Sequence, residues 1–174
     1  MIRVVLSDPD GLEVDAILRS VSAAMDPDTP FSSDLARRAG PEVSDRLRAM
    51  GDLPVGAAVI TPAGSLPIPF LIHVVLQSME EPVSSDGVRA ALLNGLRRAG
   101  EWGLRTVAVP PLGTGAGNID AQEAAEAMIP VIRDHCAGSE NPQEVLIVAA
   151  TPYEREVFEK AAEAHQSGSL PPTN

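Results

Sequence analysis

The chain has 174 residues, 44% of them hydrophobic and only 3% aromatic, and its 24 acidic and 13 basic side chains give a net charge of −11. That length suits one domain with a sizeable core of Val, Leu, Ile and Ala, while the few aromatics and the negative charge exclude a base-stacking platform or a basic nucleic-acid surface. The single cysteine, Cys136, excludes an internal disulfide, no His and Cys cluster has zinc spacing, and no apolar run reaches membrane-spanning length. An intracellular, cytoplasmic protein with no metal and no cofactor is expected.

Residues Ile2 to Leu6 read as a short buried strand, and Ser7-Asp8-Pro9-Asp10-Gly11 as a turn, because Asp, Pro and Gly each favour bends. The stretch Leu12 to Met25 fits two patterns. Its apolar positions Leu12, Ile17, Leu18, Val21 and Met25 suit a helix, yet Val14 to Leu18 suits a buried strand. After the loop Asp26 to Pro30, Ser32-Ser33 is placed to cap a helix through Arg38, and Pro41 opens a second helix to Met50. Two apolar runs, Ala57 to Thr61 and Phe70 to Leu76, read as strands. Ser84-Ser85-Asp86 caps a long helix with Val88, Leu92, Leu93, Leu96 and Ala99 on one face, ending near Gly100 to Gly103. A strand Thr106 to Val109 follows, then a helix from about Ala121 to Cys136 interrupted by Pro130, a strand Val145 to Ala149 and a last helix Glu154 to His165. Strands as continuous apolar runs alternating with helices argue for a sheet covered on both faces. Residues 1–165 form one domain, and 166–174 a polar tail expected to be disordered.

Between the fourth of these strands and its helix lies Gly113-Thr114-Gly115-Ala116-Gly117-Asn118. Alternating glycines allow a backbone in which several N–H groups converge on phosphate oxygens, and the next helix adds its positive end. A plain tight turn explains the same residues, and for an isolated loop the two readings stand level. A Walker-type loop is excluded because Ala116 to Asp120 contains no lysine. The dinucleotide fingerprint fails as well: Asn118 holds the place of its third glycine, and the expected acidic position falls at Arg133-Asp134 inside a helix.

Three stretches, in this order, resemble macrodomains, the ADP-ribose-binding modules: Leu53 to Pro67 followed by Ile72-His73-Val74; Arg89 to Pro110; and Gly113 to Gly117 with Glu123-Ala124-Ala125. Ala39-Gly40-Pro41 also fits. The resemblance implies a three-layer α/β/α fold with a mixed, mostly parallel central sheet. Upstream, Ser7 to Ile17 lines up with the family's Gly-Asp-Ile-Thr turn and the strand after it. On that match Asp8 takes the place of the carboxylate that accepts the adenine amino group, and Val14 to Val21 is strand. Departures lie in the first ligand-binding loop. Arg19-Ser20-Val21-Ser22 replaces Asn-Ala-Ala-Asn, and Asp28 to Ser33 replaces a run of glycines. Pro9 has no N–H to offer adenine. Ile119 holds the place of an aromatic that packs on the distal ribose, and Ala150 that of an adenine-stacking aromatic, for which Tyr153 is the available substitute.

The remaining candidates have competing explanations. An aspartate in a turn such as that of Asp8 often bonds its own backbone. His73 sits in an apolar strand with no nucleophile beside it and reads as structural. Cys136 and His135 are neighbours on a helix, pointing about 100° apart, and so do not form a dyad. Asp34 is two positions from the acid of hydrolytic macrodomains and is explained by a helix N-terminus. Thr114 and Asn118 can each donate to phosphate or close the loop on itself. The resemblance therefore implies binding of ADP-ribose or an ADP-ribosylated protein through Asp8, Gly113, Thr114, Gly115, Ala116, Gly117, Asn118, Ile119 and Tyr153. ADP-ribosyl hydrolysis stays open because no general base is legible. The alternative is a macrodomain scaffold that has lost the ligand and serves protein interaction. Neither membrane nor nucleic acid is an expected partner.

Overall fold

The computed structural model describes residues 1–115 and 118–167. Six strands form one sheet: β1 (Ile2–Leu6), β2 (Ala16–Ser22), β3 (Ala58–Pro62), β4 (Phe70–Gln77), β5 (Thr106–Val109) and β6 (Glu144–Ala149), in the order β1-β6-β5-β2-β4-β3. Only β3 pairs antiparallel, with β4. The helices are α1 (Pro30–Ala39), α2 (Pro41–Ala49), α3 (Ser85–Glu101), α4 (Ala121–Gly138) and α5 (Pro152–Ser167).

Side chains alternate across each strand, so the apolar runs feed two cores at once. Leu18, Ile72, Val74, Val107 and Ile147 face α3, α4 and α5, where Leu92, Leu96, Met128 and Phe158 close the layer. Ile17, Val21, Leu71, Val75 and Val148 face α1 and α2 and meet Leu35, Val43 and Leu47. Helix, sheet and helix layers result, the three-layer α/β/α architecture with a mostly parallel sheet.

The ambiguous stretch Leu12 to Met25 contains strand, β2, preceded by a single 3-10 turn at Pro9–Gly11. Pairing decided it. The strand lies between β4 and β5, with Ile17 opposite Leu71 on one side and Ala108 on the other.

Three boundaries differ from expectation. Helix α1 starts at Pro30, ahead of Ser32-Ser33, because Thr29 is its cap: the Thr29 hydroxyl accepts from the Ser32 N–H at 3.1 Å, and Pro30 sits where no N–H is needed. Helix α4 is not interrupted at Pro130 but runs through it. The missing N–H leaves the Glu126 carbonyl without its helical donor on an exposed turn open to water, while buried Met128, Ile129 and Ile132 hold both halves to the sheet. Helix α5 begins at Pro152 and continues to Ser167, so residues 166 and 167 of the expected tail are helical; 168–174 lie outside the described residues.

Candidate functional site

Parallel strands bring their carboxyl ends to one edge, where the loops after them can build a cleft. Here β2 ends at Ser20 to Ser22, β5 runs into Pro110-Pro111 and β6 into Ala149-Ala150. Above them lies a cavity of about 510 Å³, walled in part by Ser20, Phe31, Thr114, Gly115, Ile119 and Tyr153. A second cavity, about 280 Å³, is lined by Ser7, Asp8 and Pro9. The two share Phe31, Val148 and Ala150, so they form one cleft with Asp8 at one end and the glycine loop at the other.

Four of the sequence-predicted residues, Thr114, Gly115, Ile119 and Tyr153, meet in the larger cavity, and Asp8 stands in the smaller. The Asp8 side chain makes no capping bond to the 3-10 turn after it, so its carboxylate is not tied to its own backbone there. Gly113 lies behind the wall. At φ 78° it occupies the left-handed region, and a Cβ there would come within 2.8 Å of Val88. Gly115, at φ 145°, would bring a Cβ into ordinary contact with Asn118 Nδ2, 3.5 Å away, but has a backbone that L residues rarely adopt. Asn118 is exposed beside the cleft and is not part of its wall. Ala116 and Gly117 lie outside the described residues.

The loop is braced partly by itself. The Thr114 hydroxyl donates to the Pro111 carbonyl at 3.2 Å and the Asn118 and Ile119 N–H groups donate to Gly115 and Gly113, both at 3.2 Å. Of the two side-chain roles open to Thr114, the structure thus shows loop closure. Its N–H has no acceptor among the described residues.

Charge in the cleft comes from the main chain. First-turn residues of three helices line the larger cavity: Pro30 and Phe31 of α1, Ala121 of α4, and Tyr153 and Glu154 of α5. Caps take the N–H of Ser32, Glu123 and Glu154, and Pro30 and Pro152 have none, which leaves the N–H groups of Phe31, Ala121 and Tyr153 with the positive ends of the dipoles. The described lining of both cavities contains no Lys, Arg or His; its ionisable side chains are Asp8, Asp120 and Glu154, together with the Tyr153 phenol. Asp120 is committed to capping α4, accepting from the Glu123 N–H at 2.8 Å.

Directly beneath runs a buried polar chain that sequence reasoning passed over. Arg19 Nε donates to the Ser32 hydroxyl at 2.9 Å, and the Ser32 hydroxyl donates to the Ser20 carbonyl at 2.5 Å. Arg19 Nη1 donates to His73 Nδ1 at 2.9 Å. That ring nitrogen must accept, so Nε2 carries the proton and donates to Thr61 Oγ1 at 2.9 Å. Burial and then the Arg19 charge push His73 down to about 3, leaving it neutral. Burial brings Arg19 down to about 10, against a pull upward from Asp28. Asp28, raised chiefly by burial, accepts from the Ser20 hydroxyl at 2.6 Å. A signal existed in the sequence: Arg19 and His73 each interrupt an apolar strand, and the register sets them opposite one another. Phe31, which lines both cavities, gave no such signal.

Other candidates resolve simply. Asp34 pairs with Arg37 and Arg38 of its own helix; since α1 starts at Pro30, these arginines, not the helix N-terminus, account for it. His135 Nε2 lies 3.2 Å from the Asn141 carbonyl, and Cys136 Sγ donates to the Pro142 carbonyl at 3.6 Å, so each has its own loop partner.

A three-layer domain with an open cleft at the carboxyl edge of its sheet is the class these features define. The family profile described as Macro domain matches residues 23–128, and the chain belongs to that family. Among relatives, an O-acetyl-ADP-ribose deacetylase of Escherichia fergusonii is 30% identical over 158 residues, covering 84% of this chain and 86% of that protein. A macro domain-containing protein of Caldanaerobacter subterraneus is 29% identical over 162 residues, with 87% and 89% covered. An uncharacterized protein of Mycobacterium tuberculosis is 32% identical over 133 residues; that match covers 76% of this chain but only 37% of the relative. The Oceanobacillus iheyensis macrodomain solved with ADP superposes with a TM-score of 0.85 at 18% identity, covering 94% and 90% of the two chains. Among the described residues no helix is long and apolar enough to cross a membrane.

Proposed function

We propose that the chain binds ADP-ribose or a related nucleotide diphosphate, free or attached to a protein, along this cleft. The observation that carries the reading is the convergence of the Thr114-Gly115 wall and three helix N-termini on one open cavity that continues to Asp8. Phosphates settle where N–H groups and dipole ends point together. Asp8, free of a capping bond, accepts from the base amino group, and Tyr153, 63% exposed at the rim, is available to cover a ring. A relative named as an O-acetyl-ADP-ribose deacetylase and a fold neighbour solved with ADP support the ligand class. Asp34 is paired outside the cleft and Asp120 is used as a cap, so neither offers a free base for hydrolysis.

Titration calorimetry with ADP-ribose tests this. A dissociation constant in the micromolar range, about −8 kcal/mol, is expected for the wild type. Gly115→Glu should abolish it, because the substitution places a carboxylate in the wall at a backbone angle that L residues rarely adopt. No heat up to millimolar ligand would instead support the alternative of a scaffold used for protein contact.

A further inference from the structure

We propose that Arg19 is the cation that holds an anionic ligand in the cleft, acting from behind the wall as a positioning residue through the first turn of α1. The inference rests on the nucleotide reading above and assigns a role to the rewritten segment that replaces the family's asparagines.

Arg19 is 1% exposed, yet no carboxylate lies within ion-pair distance of it among the described residues. Its hydrogen-bond partners among the described residues, the Ser32 hydroxyl and the His73 ring, are both uncharged. A buried cation without a contact counter-ion is costly, and its field is only partly compensated by groups beyond contact distance. Its position says where. Ser32 is the third residue of α1, and the residues just before it, Thr29, Pro30 and Phe31, form cleft wall; so does Ser20, next to Arg19 on the strand. The guanidinium therefore lies under the positive end of α1, on the protein side of the cavity, with buried groups around it in place of water. Charge in such surroundings acts more strongly than on the surface.

Among the described residues nothing cationic lines the cleft itself, where Asp8, Asp120 and Glu154 would repel phosphate. Arg19 opposes them. Asp28 opposes Arg19 in turn, acting on it from beyond contact distance while bonded to the Ser20 hydroxyl. The two side chains thus set the anion affinity in opposite directions, and a ligand without phosphate escapes both.

The test compares ADP with adenosine by titration calorimetry on the wild type and on Arg19→Met, Arg19→Lys and Asp28→Asn. Met should weaken ADP roughly ten-fold more than adenosine, and Lys, which keeps the charge, should restore most of that difference. Asp28→Asn retains an oxygen for the Ser20 hydroxyl and removes the opposing charge, so ADP should tighten several-fold while adenosine is unchanged. If the Met variant does not fold, the Asn variant decides alone. An ADP-to-adenosine ratio equal to the wild type's in every folded variant overturns the role of Arg19 and leaves nucleotide binding standing. A wild type that binds neither compound overturns both.

Discussion

Buried on β4 between β2 and β3, His73 takes up no second proton until the pH approaches about 3, whereas in the unfolded chain it titrates near its ordinary value of 6.5. As pH falls below roughly 6.5 the unfolded state takes up a proton that the folded state refuses, so stability declines across that window. Asp28 has the opposite sign: its pKa is raised in the fold, and protonating it there favours the folded state. Comparing His73→Gln with the wild type separates the two. Urea denaturation between about pH 7 and pH 4 should show the wild type losing stability more steeply than the variant, by an amount on the order of a few kcal/mol. Equal slopes would mean that the ring accepts a proton in the folded state. The expectation that His73 is structural agrees with what the structure places around it, two hydrogen bonds and full burial. Its partner Arg19 was legible only as a departure, since its use depends on Ser32, thirteen positions away.

At the level of single elements, α1 and α4 give two measurable consequences. The cap of α1 is Thr29, and Thr29→Ala removes the oxygen that satisfies the Ser32 N–H; the cost should be about 1 kcal/mol. That loss should also disturb Phe31, next in line on the wall of both cavities. In α4, Pro130 leaves the Glu126 carbonyl without its helical partner. Pro130→Ala restores the bond and should stabilise the fold by roughly 1–3 kcal/mol, read as a higher urea midpoint at unchanged slope. A lower midpoint would show that Pro130 itself is required for packing α4 on the sheet.

Taken whole, the molecule carries a net charge of −11, and on the proposed reading its anion-holding groups are backbone amides, helix ends and one buried guanidinium. Surface repulsion is screened by salt, while buried groups are screened much less. Raising salt from roughly 50 mM to roughly 300 mM should therefore leave ADP affinity level or slightly tighter. A site built on exposed Lys and Arg would weaken steeply as bound counter-ions lose their advantage. A steep loss in the titration would point to basic side chains beyond the described cleft.

Sequence by itself determined the layers. Apolar runs of strand length separated by helical faces dictate a covered sheet, and glycines at 113 and 115 let the chain carry positive φ beside the cleft. Those are local properties, written into the side chains at each position. The tertiary structure alone decided which groups meet. Strand order places the end of β2 between those of β4 and β5, bringing Ser20 to the loop after β5, and the packing of α1 over β2 sets Phe31 in the wall and Ser32 above Arg19. Hydrogen bonds and fields act through space at a few ångströms, so a charge buried on one strand gains its purpose from neighbours that the linear order keeps apart.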